Sequence, residues 1–217
     1  MGLRQYRAVV FDMDGVVFDT EPLHIKAWQV VLGELGYACP YAVVVPCIGI
    51  PDSESAIVLQ RHFRTELSSE ELLARKRAIY PELAAAVVTA FPGVAEGLAK
   101  LRERVPIALA TSCHIPETEL LLERTGLLSF FPVRITAELV ERRKPSPDPF
   151  LKAMELIGSR PEHTLAVEDS SAGIIAAKIA GCTVLAIASS HAPEQLTDAH
   201  HVFATTAAAL AWMLKQV

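Results

Sequence analysis

Long apolar runs, extended blocks of one charge sign and closely spaced cysteine pairs are all missing from this 217-residue sequence. Each absence excludes a class of protein. No stretch approaches the roughly 20 apolar residues that a helix needs to cross a bilayer, so no membrane partner is expected. A formal net charge of -5 without clustered basic residues leaves no electrostatic footprint for nucleic acid. The four cysteines, Cys39, Cys47, Cys113 and Cys182, show no CxxC spacing, and the first residues lack the charged-then-apolar order of a signal peptide. Reduced thiols in a cytoplasmic protein are therefore expected. Missing too are a GxSxG elbow, a P-loop, HExxH, and an arginine six residues beyond any cysteine.

What is present is a chain that is 51% hydrophobic and 21% charged, enough to bury a sizeable core. Short dense apolar runs recur: AVVF (8–11), IALA (107–110), FPVRIT (131–136), TLAV (164–167), TVLAIA (183–188) and a weaker HVFA (201–204). Runs of this kind suit strands of a parallel sheet covered on both faces. Helical patterns with proline at their starts and glycine at their ends lie between them, as in PETELLLERTG and PDPFLKAMELIG. The alternation predicts a Rossmann-like, doubly wound parallel α/β core.

Residues 21–89 break the alternation. They carry helical patterns, a capping-box spacing at Ser68 and Glu71, and only one short strand-like run, YAVVV. An inserted α-helical cap domain over 21–89 is expected, with a discontinuous core built from 1–20 and 90–217.

Ligands of open α/β sheets collect at the carboxyl ends of the strands. Polar residues follow four of the apolar runs: Asp12 and Asp14 in FDMDG, Thr111 and Ser112 in LATSCH, Lys144 in RRKPSPDPF, and Glu168 and Asp169 in VEDS. A carboxylate is ionised near neutral pH, so Asp12 can attack an electrophile without a base to activate it. If the electrophile is a phosphate ester, the repulsion between anions must be offset by fixed cations. Lys144 is one such cation. A hard divalent ion held by the oxygens of Asp12 and Asp169, with Glu168 as a further candidate, is another, and oxygen ligands favour Mg2+. Thr111 and Ser112 offer hydrogen bonds to phosphoryl oxygens and are also candidate helix N-caps. Asp14, two positions beyond Asp12 on an extended chain, projects to the same side and can serve as general acid and base. Asp19 is expected to anchor the loop that enters the insertion, and Ser170 to cap the helix that follows it. Glu21, His24 and His114 are candidates for substrate contact.

Taken in order, FDMDG, LATS, Lys144 in RRKPSPDPF and VEDS resemble the four motifs of the haloacid dehalogenase (HAD) superfamily, and the likeness spans nearly the whole chain. FDTEPLH, KPSPDPF and VEDSSAGIIAAKIAG are similar to its β-phosphoglucomutase and phosphoglycolate phosphatase-like group. The resemblance implies magnesium-dependent phosphoryl transfer from a small phosphorylated metabolite through an aspartyl-phosphate, with the backbone carbonyl of Asp14 joining the metal ligands. A monomer or weak homodimer is expected. Dehalogenases of the superfamily lack the second acid, so Asp14 argues for phosphate chemistry. A phosphosugar mutase is the main alternative. Its cap loop typically carries two basic residues flanking a glycine, and the aligned stretch CIGIPDSES has Ile48 and Asp52 in those places, which favours hydrolysis. A non-catalytic HAD-fold binding protein is a further alternative, and the retention of Asp12, Lys144 and Asp169 argues against it.

Overall fold

A computed structural model of the chain describes residues 6–47, 50 and 52–217. The chain divides into two compact units, Met1–Asp19 with Thr89–Val217, and Thr20–Val88. Position Ile48 lies outside the described residues.

The larger unit holds the six strands β1 (Ala8–Phe11), β2 (Ile107–Ala110), β3 (Val133–Ile135), β4 (Thr164–Glu168), β5 (Thr183–Ile187) and β6 (His201–Phe203). All pair in parallel, in the order β3-β2-β1-β4-β5-β6. The strands therefore fall where the apolar runs predict them. β1 is central, with β2 on one side and β4 on the other, so the chain reverses its direction of travel across the sheet at this pair. That is the switch point at which an α/β sheet opens a crevice for ligands.

Side chains alternate between the two faces of each strand. Val10, Ala108, Ala110, Ala166, Val184 and Ala186 form one buried cluster with Phe150, Met154, Ile174 and Ala177. The last four belong to two helices that follow β3 and β4, spanning Asp148–Ile157 and Ser171–Ile179. Small residues on this face let the helices approach closely. The larger Val9, Phe11, Leu109, Leu165, Val167 and Leu185 alternate with them and are equally buried. The helices Val94–Arg102 and Thr206–Gln216 pack on one another, and a Cβ on Gly97 of the first would stand 2.6 Å from Leu210 of the second. An alanine at that spacing would force the Leu210 side chain or a helix to shift.

The smaller unit is helical, with helices over Glu21–Glu34, Tyr41–Val44, Asp52–Phe63 and Ser69–Val87. YAVVV corrects the sequence reading here: it forms a short helix running into a 3-10 turn at Val45–Cys47. A β-branched run is ambiguous between strand and buried helix until its neighbours are known, and here they are all helices. Trp28, Val31, Leu32, Leu59 and Leu72 form the core of the unit. The capping box is made in full: Ser68 Oγ accepts from Glu71 N at 3.2 Å, and Glu71 Oε2 accepts from Ser68 N at 2.8 Å. No helix among the described residues is long and apolar enough to cross a membrane.

Replacing Ser68 with alanine should remove the half of the box made by the hydroxyl, leave the backbone amide donating to Glu71, and cost about 1 kcal/mol. The check is the urea midpoint of Ser68→Ala, with Ser68→Thr expected to stay near wild type.

Candidate active site

The register of the sheet brings the candidate residues together. Phe11 is paired with Leu109 of β2 and with Val167 of β4, so Asp12 comes abreast of Glu168, with Thr111 just past the end of β2. Asp12 N donates to Val167 O at 2.9 Å, which extends the ladder by one residue and fixes the aspartate at the strand tip. The chain then folds back: the amides of Val17 and Phe18 bond Met13 O, and Gly15 N donates to Phe18 O. Gly15 adopts φ +69, a left-handed conformation that glycine takes without steric cost. Met13 turns into the core while Asp12 and Asp14 face the strand ends.

Lys144 reaches the centre of this group. Its Nζ lies 2.5 Å from Asp12 Oδ1 and 2.5 Å from Glu168 Oε1, and 5.1 Å from the centroid of the Phe150 ring. Glu168 is entirely buried, and its second oxygen accepts from Asp169 N, Ser170 N and Ser170 Oγ. Gly173 leaves the room: a Cβ there would stand 1.9 Å from Glu168 Cδ. Ser170 Oγ also accepts from Gly173 N at 3.1 Å, so this serine caps its helix as expected and supports Glu168 as well.

Ligand oxygens of Asp12, Glu168 and Asp169 lie within 4.8 Å of one another. Three buried carboxylates thus surround one ammonium, which is costly unless more positive charge is supplied. The ionisation behaviour expresses that excess. Burial, aided by Glu168 and Asp14 and opposed by Lys144, pushes the Asp12 carboxyl up to about 8. Burial also raises the Asp169 carboxyl well above its usual range, with Asp12 and Glu168 adding to the effect and Ser190 opposing it. Burial works against the Lys144 ammonium, yet Asp12 and Glu168 more than offset it and hold the lysine above its ordinary range. An all-oxygen, over-acidic cluster of this size fits a hard divalent cation.

Around this centre the other candidates separate. Thr111 is buried, its amide bonds Ile135 O, and its Oγ1 accepts from Cys113 N at 3.0 Å, while Ser112 is exposed. Neither caps the helix Ile115–Arg124; His114 holds the N-cap position without a side-chain bond. Glu138 takes over that role: its carboxylate accepts from Ile115 N, from Thr136 Oγ1 at 2.9 Å and from His114 Nδ1 at 2.7 Å. His114, a candidate for substrate contact, is thereby engaged with Glu138. Asp19 is exposed and makes no hydrogen bond among the described residues, so the expected anchor is replaced by backbone pairing of Val17 and Phe18 with Ala90 and Phe91. Glu21 and His24 belong to the helical unit, where His24 Nδ1 meets Lys76 Nζ at 2.7 Å.

Two contributions escape the sequence reading. Cys113 Sγ lies 2.9 Å from Asp14 Oδ2, and burial, with Asp14 and Glu117 beside it, drives the thiol well above its usual range. It is therefore an S–H donor to Asp14, and not a nucleophile. Asp14 Oδ1 is buried and meets no donor among the described residues. The second contribution is a loop after β5, in which Ser190 Oγ donates to Asp169 Oδ2 at 2.5 Å. Its signal was the rule already used for the other loops, because SSH follows the fifth apolar run.

With this geometry in view, comparison with known proteins decides the family. The sequence matches the haloacid dehalogenase-like hydrolases over residues 9–187. The chain belongs to that family. It is 31% identical over 177 residues to the fructose-1-phosphate phosphatase YqaB of Escherichia coli K12, covering 82% of this chain and 94% of that one. It is 34% identical over 179 residues to a phosphorylated carbohydrates phosphatase of Thermotoga maritima, with 80% and 81% covered. A crystal structure from Thermotoga maritima that carries the assignment beta-phosphoglucomutase superposes with a TM-score of 0.84 at 28% identity, over 97% of this chain and all of that one. Within the family, the chain falls in the β-phosphoglucomutase and phosphoglycolate phosphatase-like group.

Glu138 provides a pH test of the loop that carries Thr111 and Cys113. Burial is the largest single influence and raises its carboxyl, but hydrogen bonds from the backbone, Thr136 and His114 together outweigh it and bring it from 4.5 down to about 2. A carboxyl lowered in the folded state stabilises the fold above its unfolded value, and that stability is lost as pH falls through the window from 4.5 to about 2. The side chain is 38% exposed, so solvent screening holds the effect at pH 7 to about 1 kcal/mol or less. Glu138→Gln should lower the urea midpoint at neutral pH, and its difference from wild type should shrink steadily as the pH falls below the unfolded carboxylate range.

Proposed function

We propose that the protein is a Mg2+-dependent phosphatase of small phosphomonoesters, sugar phosphates being the favoured class, acting through an aspartyl-phosphate on Asp12. The observation that carries this reading is the buried cluster of Asp12, Glu168 and Asp169 around the single ammonium of Lys144. The names of the relatives, which are phosphatases of fructose 1-phosphate and of phosphorylated carbohydrates, support the substrate class.

In this reading Asp12, Asp169 and the carbonyl of Asp14 hold the metal, with Glu168 beside them. When bound, the ion offsets the negative charge shared by the carboxylates and the phosphoryl oxygens. The protein's own groups do the rest. Lys144 holds Asp12 in place and neutralises a phosphoryl oxygen, while Glu168 fixes Lys144. Thr111, whose oxygen is oriented by Cys113 N, retains its hydroxyl proton for a phosphoryl oxygen. Asp12 attacks phosphorus, the bond from phosphorus to the ester oxygen breaks, and Asp14 gives the departing alkoxide a proton. Asp14 then takes a proton from water, which attacks phosphorus, releases inorganic phosphate and restores the Asp12 carboxylate. The bond from Cys113 to one oxygen of Asp14 orients the acid, and the unpartnered oxygen is available to the alcohol or water.

The alternative is a phosphosugar mutase, favoured by the likeness to the structure assigned as beta-phosphoglucomutase. A mutase must hold a second phosphate, and the buried lysine beside one of the positions expected to be basic in a mutase is already engaged. Lys76 is buried and pairs with Asp52 and with His24, under the rings of Trp28 and Tyr80. Asp52 thus stands where a mutase is expected to carry a base, and it also neutralises the buried lysine. We propose that this unit, residues 21–89, is a cap that selects the leaving alcohol by hydroxyl contacts, with Glu21 and His24 among its candidate residues.

A single assay tests both parts. With Mg2+ and a hexose monophosphate, the wild type should release inorganic phosphate without accumulating an isomeric hexose phosphate, and Asp12→Asn should lose at least a thousandfold in rate while melting as wild type. Undiminished release by Asp12→Asn sinks the nucleophile, and efficient isomer formation primed by a sugar bisphosphate reverses the choice of reaction.

A further inference from the structure

The loop that leaves β5 meets the site at three points, and no step of the proposed reaction uses it. Its start is fixed by Ala188 N, which donates to Phe203 O at 2.9 Å. Ser189 Oγ then donates to Gly15 O at 2.5 Å, Ser190 Oγ to Asp169 Oδ2 at 2.5 Å, and His191 Nδ1 to Asp169 O at 3.0 Å. A carbonyl can only accept, so the imidazole carries a hydrogen on Nδ1. The three bonds tie the loop after β1 to the loop after β4. Gly15 permits the approach: a Cβ there would stand 1.8 Å from Asp169 Oδ2 and 2.7 Å from Ser190 Oγ.

We propose that Ser190 is a positioning residue for the metal carboxylate Asp169, and that Ser189 and His191 hold Ser190 in place to do so. The proposal rests on the metal reading given above. Asp169 is packed beside two other carboxylates, whose repulsion favours turning its headgroup away from Asp12 and Glu168. A short hydrogen bond to Oδ2 opposes that rotation and keeps the carboxylate beside Asp12 and Glu168, where it would help to hold the ion. The remaining bonds act on backbone: Ser189 on the carbonyl next to Asp14, and His191 on the carbonyl of Asp169 itself. Both loops are thus set before the ion arrives, so less ordering is left to accompany binding. Hydroxyl partners of this kind, touching a ligand and not the ion, typically change metal affinity by about 10–100-fold.

The test is calorimetric titration of Mg2+ into metal-stripped protein, without substrate, for wild type, Ser190→Ala and Ser190→Thr, alongside the melting temperature of each metal-free form. Wild type should take up Mg2+, Ser190→Ala should bind it at least about tenfold more weakly while melting within a degree or two of wild type, and Ser190→Thr, which keeps the hydroxyl, should bind nearly as wild type. Equal affinity in Ser190→Ala overturns the proposal, as does an equal loss in Ser190→Thr and Ser190→Ala, because the hydroxyl would then not be the cause. If Ser190→Ala fails to fold, the threonine variant and Ser190→Cys, a poor donor of similar size, decide the matter by the same comparison. Absence of Mg2+ uptake by the wild type would instead count against the metal reading.

Discussion

Lys144 shared between Asp12 and Glu168 is the contact on which the rest of the core unit is arranged. One ammonium cannot neutralise three neighbouring carboxylates, and burial leaves no solvent to help. The surrounding structure limits the damage. Glu168 receives two amides and a hydroxyl on the oxygen that Lys144 does not use, the helix behind it has glycine at 173 to make room, and Asp169 is held by a hydroxyl from a third loop. What these groups do not cancel is the charge that a divalent ion and a phosphoryl group would meet.

The same tension explains why the site sits at the sheet's switch point. β1 and β4 are adjacent, central and buried throughout, so their tips can place carboxylates side by side with little freedom to move. Flanking strands contribute loops: the one after the edge strand β3 brings Lys144 between Asp12 and Glu168, and others carry groups that orient the acids. Cys113 after β2 donates to Asp14, and Ser189, Ser190 and His191 after β5 hold the loops bearing Gly15 and Asp169. The carboxylates come from the buried central strands, and Lys144, Cys113 and Ser190 reach them from strands on either side.

This division also governs how much was legible in the sequence. Dense apolar runs bounded by proline and glycine located every strand, because burial on both faces leaves a signal in composition alone. The acids at those strand ends were legible for the same reason, since charge directly after an apolar run needs an explanation. Supporting residues leave no such signal. Glu138 caps a helix that begins 23 residues earlier, and a tertiary contact of that kind has no period or spacing to reveal it. Cys113 was visible as a neighbour of the site, but only packing shows its thiol donating to Asp14. YAVVV was misleading because β-branched residues suit a strand and a buried helix alike, and the helices around it decided the outcome. Asp19 looked like its neighbours Asp12 and Asp14 by residue type, yet it falls beyond the fold-back and faces solvent.

The central claim is that Asp12, compensated by Lys144 and a divalent ion, carries the phosphoryl group. Rapid quenching of a single turnover in acid, with a 32P-labelled hexose phosphate and excess enzyme, followed by peptide mapping, tests it most directly. The account predicts transient label on the peptide containing Asp12, acid-stable and released by hydroxylamine, that decays as free phosphate appears. Formation of phosphate in that turnover with no labelled Asp12 peptide at any quench time would contradict it.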